Sequence, residues 1–348
     1  MTQQLEKLYQ KVIAGNHLQR SEAGDAATCL AAETVDAAAK EAFLQALACK
    51  GETAEEVAGF AKMFAGLARD PGTQAFAGGA IDIVGTGGDH SGTFNISSTT
   101  AFYAAAAGIP VIKHGNRSIT SKCGSAQLIE AVGFDLEPDS STITQSLKQL
   151  NFAFLFAPHF HPAFKTIMPV RQALAAKGQR TIFNILGPLI NPGKPAFNLL
   201  GVFSQKWVAP YAAAAHALGL KRGLVVHCAL GPDTGMDELS TAGVNHVAGF
   251  GQLSGYSAEW RAADLGLQTC HIDDLKGGDV QTNRQILLRL SEGSAPPGLQ
   301  SSLALNLAAA LWVASRAESI ESGLKQANEI IASECLSDWL KQVHAFKP

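Results

Sequence analysis

The residues best placed by type and spacing to do chemistry lie in three short runs. They are Gly85-Thr-Gly-Gly-Asp89, Lys113-His-Gly-Asn-Arg-Ser-Ile-Thr-Ser-Lys-Cys-Gly-Ser125 and Asp237-Glu238. In the first, Gly85, Gly87, Gly88 and Gly92 follow the apolar Ile81-Asp-Ile-Val84 and precede Ser97, Ser98 and an alanine run closed by Gly108. Glycines open backbone angles closed to other residues and let main-chain N–H groups approach a ligand. A strand, a glycine loop and a helix start together turn free N–H groups and the positive end of the helix dipole toward an anion, phosphate above all. Ser97 and Ser98 are N-cap candidates and Gly108 suits the residue after the helix. The spacing matches neither a Walker A loop nor Gly-x-Gly-x-x-Gly. Asp89 stands inside this loop. A carboxylate there repels phosphate unless it meets a hydroxyl, a cation or a backbone donor; the alternative is a tight turn with an Asx cap.

The second run holds three cations, an amide and four hydroxyls in thirteen residues. It begins where a strand should end, and open α/β sheets bind ligands at that edge. Lys113 would serve as a point charge on phosphate and Arg117 as a fork of donors. Two such loops imply a polyanionic substrate. Magnesium usually accompanies one, held by one or two carboxylates together with phosphate oxygens and water. Asp237 and Glu238, in Gly-Met-Asp-Glu-Leu-Ser, are the candidates. Neighbours on a regular element point apart, so the pair can share a site only from a turn. Pro158-His-Phe-His161 sets two histidines on one side of an extended segment; lacking a third ligand, they read as packing residues.

These runs need a scaffold. The first seventy residues carry helical signals: Leu5, Leu8, Val12 and Ile13 at helical spacing, alanine- and leucine-rich stretches near 21–32 and 37–49, and a capping box at Thr53-Ala-Glu-Glu56 that opens a helix reaching about Arg69. From about 79, the short apolar runs AIDIVG, IPVIK, FAFLFA, FNLLGVF and GLVVHC alternate with helical stretches, and helices return from about 300. The glycine-rich 249–255 and SEGSAPPG (291–298) read as loops. The expectation is an α/β protein: a small helical domain over 1–73, joined by part of 160–190, and a larger domain over 74–348 with a mainly parallel central sheet.

Composition narrows the class. With 348 residues, 47% hydrophobic, 16% charged and a net charge of −3, the chain reads as an ordinary soluble protein, and broad nucleic-acid binding is disfavoured. Its six cysteines are scattered without a Cys-x-x-Cys pair, as expected of reduced thiols in a cytoplasm. The N-terminus lacks the apolar core of a signal peptide, and no stretch approaches the roughly 20 apolar residues of a membrane span. Cytoplasmic localisation is the expectation.

Taken in order, the motifs resemble those of the anthranilate phosphoribosyltransferases. The matching stretches are Gly85-Thr-Gly-Gly-Asp89, Thr93-Phe-Asn-Ile-Ser97, Lys113-His-Gly-Asn-Arg117, Arg180-Thr-Ile-Phe-Asn-Ile-Leu-Gly-Pro-Leu-Ile-Asn-Pro192 and Gly235-Met-Asp-Glu238. The likeness runs from Lys50-Gly-Glu-Thr to Leu305-Asn-Leu-Ala-Ala-Ala. It implies the nucleoside phosphorylase/phosphoribosyltransferase fold, commonly a homodimer joined through the helical domain. It also implies magnesium-dependent transfer from 5-phosphoribosyl 1-diphosphate to anthranilate, and no nucleic-acid or membrane partner. By position, Gly85, Gly88, Asp89, Thr93, Asn95, Ile96, Ser97, Ser98, Lys113, Ser121 and Ser125 would line the sugar-donor site. Gly85, His114, Asn116 and Arg171 would contact anthranilate, with His161 near the aromatic substrate. Ser97 would touch one of two magnesium ions; Asp237 and Glu238 would hold the second, Glu238 reaching both. His90 stands where the family more often has glycine.

The reaction so implied needs no strong base before attack, because an aromatic amine is neutral near pH 7. Departure of diphosphate is the hard step, and no nucleophile–base pair of known spacing is present; His114 is the candidate carrier of a late proton. Two rivals follow from the same features. A pyrimidine nucleoside phosphorylase would share the architecture and lack the Lys-His-Gly-Asn-Arg run. A non-catalytic relative that binds nucleic acid would lose the glycine loop or the acidic pair and gain a basic face.

Overall fold

The structure, a computed structural model, describes residues 1–117, 122–232 and 234–347. Ser121 lies outside the described residues. Four helices open the chain: Thr2–Ile13, Arg20–Ala31, Ala37–Lys50 and Ala54–Gly66. The capping box forms as spelled. Thr53 Oγ1 accepts from Glu56 N at 3.3 Å, and the Glu56 carboxylate accepts from Thr53 N at 2.8 Å. The helix ends at Gly66, three residues before the expected Arg69.

Among the described residues eight strands make one sheet: β1 (Ile81–Gly85), β2 (Val111–Gly115), β3 (Phe152–Phe156), β4 (Phe197–Gly201), β5 (Arg222–Ala229), β6 (Gly235–Met236), β7 (Val244–Gly251) and β8 (Ser257–Trp260). Their order is β3-β2-β1-β4-β5-β7-β8, with β6 beside β5. The first five are parallel; β6 and β7 pair antiparallel with β5, and β8 pairs antiparallel with β7. Every apolar run expected to be a strand is one. The stretch 249–255 is a turn only over 252–255, because Gly249 and Gly251 belong to β7. A Cβ on Gly249 would lie 2.1 Å from Leu253 O, and one on Gly251 2.2 Å from Lys221 O. These glycines serve close backbone approach inside a strand, which composition does not distinguish from a loop. The 291–298 loop is also shorter than read, since a helix begins at Pro297.

Both faces of the sheet are covered, and the period of two sorts the side chains. Leu199, Leu224 and Val226 face a core shared with helices Ile96–Ala106 and Pro297–Val313, while Leu200 and Val225 face helices Ala54–Gly66 and Val208–Ala217. The segment between β3 and β4 packs on the N-terminal helices. Phe64 meets Phe164 and Phe183 with ring centres 4.7 and 5.4 Å apart, and Thr166 Oγ1 donates to Ala31 O at 3.0 Å.

The sheet reverses direction of growth at β1. β2 and β3 add on one side and β4 and β5 on the other, so the loops leaving β1 and β4 diverge and open a crevice at their carboxyl ends.

Candidate active site

Gly85 and Gly201 end β1 and β4 and are register partners. A Cβ on Gly201 would fall 1.6 Å from Asp237 O, and one on Gly85 2.1 Å from Asp237 Oδ2. Glycine at both strand ends therefore makes room for the Asp237-Glu238 turn to lie directly over the crevice. The resemblance implies Gly85 as a ligand contact; its missing side chain is what admits the acid. The pair is presented from a turn after β6, as sharing a site requires.

The acidic turn clasps the glycine loop. Asp237 Oδ2 accepts from Gly87 N at 2.6 Å, and Glu238 Oε1 accepts from Ser97 N at 2.8 Å. The helix Ile96–Ala106 starts after Asn95 without a side-chain cap of its own. Ser97 and Ser98 are thus not the N-cap. A glutamate 141 residues away supplies the acceptor, favoured by the helix dipole. Gly108, with φ of 81°, closes the helix as expected.

Asp89 resolves both ways. Its Oδ1 accepts from Ser91 N at 3.2 Å, an Asx turn, and its Oδ2 accepts from Asp237 N at 3.4 Å. His90 beside it sits at φ 57°, the left-handed region where glycine is at ease. Burial raises the pKa of Asp237 well above the carboxylate range, and the charges of Asp89 and Glu238 add to the rise. Burial also lifts Glu238, to about 7. Three carboxylates thus crowd one place with too little positive charge.

Lys113 departs from the expected role. It is buried at the centre of β2, donates to Ile83 O at 2.5 Å and lies among the charges of Asp82, Glu238 and Asp237. Its ammonium serves the carboxylates from below the site. Asp82 is fully buried, with its pKa lifted by burial to about 6, and accepts from Asn191 Nδ2 at 2.7 Å. Asn191 also donates to Ile112 O at 2.8 Å, which pins the β3–β4 crossing segment to β1 and β2. Arg117, read as a phosphate fork, pairs with Glu130 at 3.2 Å.

The remaining donor-site candidates are engaged within the protein or buried. Thr93 Oγ1 meets Ser91 Oγ at 2.9 Å, Asn95 bonds Cys123 O and Asn283, and Ser125 Oγ donates to Asn116 O at 3.1 Å. Ile96 and Ser98 are fully buried, and Ser98 Oγ has no hydrogen-bond partner among the described residues. Gly88 O accepts from Arg180, whose guanidinium stacks 3.9 Å over Phe203. Sequence reasoning missed Arg180 as a contact of the glycine loop; its place at the head of the longest motif was the available signal.

A second cluster joins β2 to the β3–β4 crossing segment. The His114 and His161 rings are 5.0 Å apart, and His161 meets Phe164 at 5.7 Å. Phe164 meets Phe183 at 5.6 Å, and the Arg171 guanidinium lies 5.8 and 5.3 Å from those two rings. Among the described residues no carboxylate pairs with Arg171, and burial lowers its pKa to about 10. Burial holds His114 neutral down to about 3 and His161 down to about 4. His114 Nδ1 lies 3.2 Å from Gly187 O, and its Nε2 has no hydrogen-bond partner among the described residues. The segment 157–160 is a helical turn, so the extended reading of Pro158-His-Phe-His161 does not hold. Asn116 sits exposed just beyond β2, its Oδ1 accepting from Arg117 N.

An oxygen-only cluster suits a hard cation. Among the described residues, however, no group of three or more His, Cys, Asp and Glu side chains is disposed to hold a metal ion. The acidic pair suits a cation that draws its remaining ligands from phosphate and water.

An anion-receiving crevice at a sheet switch point, joined to a helical bundle, is the build of a glycosyl transferase. Residues 77–334 match the description "Glycosyl transferase family, a/b domain", and residues 6–68 match its "helical bundle domain". The anthranilate phosphoribosyltransferases of Shewanella amazonensis and Rhodospirillum rubrum are each 40% identical to this chain, over 96% and 98% of it and 94% and 95% of their own lengths. The crystal structure of the Thermus thermophilus anthranilate phosphoribosyltransferase superposes with a TM-score of 0.85 at 37% identity, covering 97% of this chain and 98% of its own. That of Saccharomyces cerevisiae, in complex with PRPP and Mg, gives 0.81 at 25%, covering 98% of each. The chain belongs to the anthranilate phosphoribosyltransferase family.

Proposed function

We propose that this protein transfers the phosphoribosyl group of 5-phosphoribosyl 1-diphosphate to anthranilate, giving N-(5-phosphoribosyl)anthranilate and diphosphate in tryptophan biosynthesis. The carrying observation is that two unlike clusters sit at the ends of the neighbouring strands β1 and β2. A glycine loop clasped by carboxylates follows β1, and beside the end of β2 lies an aromatic cluster in which the desolvated Arg171 has no carboxylate partner among the described residues. The first suits a diphosphate that arrives with a cation, and the second suits a benzoate ring.

In this reading Gly85, Gly88, Asp89, Thr93, Asn95, Ile96, Ser97, Ser98, Ser121 and Ser125 form the donor site, and Lys113 offsets the acids beneath it. Asp237 and Glu238 would hold magnesium, two ions with Ser97 on one; when bound, the metal offsets the charge of the departing diphosphate. Arg171 would take the anthranilate carboxylate, with His114, His161 and Asn116 around the ring, so that the amine faces the anomeric carbon. The C1–O bond breaks with its electron pair leaving on diphosphate, and a C1–N bond forms. The nitrogen then loses a proton. His114 Nδ1–H is oriented by Gly187 O, which leaves the lone pair on Nε2, an atom without a hydrogen-bond partner among the described residues. A secondary anilinium is acid enough for so weak a base. The same reading carries a homodimer joined through residues 1–73, a larger domain over 74–348 and a cytoplasmic setting; among the described residues no helix is long and apolar enough to cross a membrane.

The decisive test mixes purified protein with anthranilate, phosphoribosyl diphosphate and magnesium and follows anthranilate fluorescence. Loss of fluorescence that requires all three components is expected. No loss, with phosphorolysis of uridine or thymidine instead, would overturn the proposal.

A further inference from the structure

Residues 237–243 form neither helix nor strand, yet Leu239, Ser240 and Thr241 are essentially buried. Buried irregular backbone must find hydrogen-bond partners. Here side chains supply them in series. Asn306 Oδ1 accepts from Leu239 N at 3.2 Å while its Nδ2 donates to Leu239 O at 2.7 Å and to Ser302 O at 2.8 Å. Asn245 repeats the arrangement on Ser240, accepting and donating at 2.8 Å each. Ser302 Oγ accepts from Thr241 N at 3.2 Å.

We infer that Asn306 is the positioning residue of the Asp237-Glu238 turn, its amide standing in for a neighbouring strand so that both acids stay registered on the glycine loop. The inference rests on reading that pair as the metal-binding turn. Asn306 lies on the helix Pro297–Val313, where Leu303, Leu305 and Leu307 are buried around it. A buried amide in such a helix costs helix propensity and desolvation, so packing alone would favour leucine. What the amide gains is a two-bond exchange with the residue directly after Glu238, of the kind that joins paired strands. One peptide away, Glu238 meets Ser97 N, and one further Asp237 meets Gly87 N. Releasing Leu239 would let the acids drift from both.

The test compares Asn306→Leu, which keeps shape and removes the amide, Ser302→Ala, and the reference Asp237→Asn with Glu238→Gln. Mn2+ binding is read from loss of the free-ion EPR signal in the presence of phosphoribosyl diphosphate, beside kinetics and thermal melting. A folded Asn306→Leu should bind Mn2+ about tenfold more weakly or worse and lose kcat, while KM for anthranilate stays within about twofold of wild type. Wild-type Mn2+ affinity in folded Asn306→Leu overturns the assignment, as does an anthranilate defect as large as the metal defect. Should Asn306→Leu fail to fold, Ser302→Ala decides: weakened Mn2+ binding upholds the clamp and unchanged binding overturns it. If the reference variant itself keeps Mn2+, the metal reading of the acidic pair falls and the assignment falls with it.

Discussion

At the scale of the residue, charge and conformation are unusually exposed to test. Arg171 has its guanidinium desolvated against two phenyl rings with no carboxylate partner among the described residues. Arg171→Ala should raise KM for anthranilate by about ten- to a hundredfold, the worth of a hydrogen-bonded charge, while KM for the sugar donor changes little; steady-state kinetics with each substrate varied decides. His90 holds a left-handed φ of 57°. A β-branched side chain resists that conformation. His90→Val should therefore destabilise by about 1 kcal/mol and His90→Gly should not, read from urea midpoints. Asp89 and Asp237-Glu238 could be picked out as acids from sequence. That one of them caps the helix of another motif could not, because the contact spans 141 residues.

Elements place these groups through absences of side chain as much as through their presence. β1 and β4 end at Gly85 and Gly201 so that Asp237 can lie across them. The two glycines meet different atoms, and the consequences should differ. A methyl at Gly201 strikes the Asp237 backbone, so Gly201→Ala should cost about 2 kcal/mol or more together with activity. A methyl at Gly85 meets the carboxylate end of a side chain that can swing away. Gly85→Ala should fold with a smaller loss yet reduce kcat/KM about a hundredfold, the usual penalty for misplacing a reacting group. Denaturant curves beside kinetics check both. The parallel strands were legible because buried strands read as short apolar runs between turn residues. β7 was half hidden, since its Gly249 and Gly251 accommodate backbone that arrives only in the folded sheet.

Across the whole molecule, the joint between bundle and sheet sets the response to acid. His114 is the penultimate residue of β2, His161 lies in the crossing segment between β3 and β4, and both are buried. Burial lowers His161 to about 4, below its ordinary value, so the folded state refuses a proton that the unfolded chain accepts below about pH 6.5. Its contribution to stability is complete above that pH and is lost as pH falls toward about 4. Asp82, raised to about 6, works in the opposite direction and loses its contribution as pH rises through that value. The histidine is isolated by comparing wild type with His161→Gln. Whatever constant offset the substitution brings, the variant should gain on wild type by about 3 kcal/mol between pH 6.5 and 4. Parallel unfolding curves across that range would refute the neutral, buried imidazole.

Sequence alone determined what is local: the strand–glycine-loop–helix run at 81–108, the capping box at Thr53, the parallel order implied by alternating apolar runs, and the residue types a polyanion needs. Each depends on neighbours within a few positions, so periodicity and turn chemistry express it directly. The tertiary structure decided which way groups face. Lys113 turns inward because β2 is covered on both faces and Asp82 lies within reach on β1; Arg117 is taken by Glu130; and the acids reach the loop only because two distant strands both end in glycine and a buried asparagine holds the turn from behind. Those outcomes depend on pairings that local periodicity does not link, from 13 positions apart for Arg117 and Glu130 to 150 for Gly87 and Asp237, which composition and spacing do not encode.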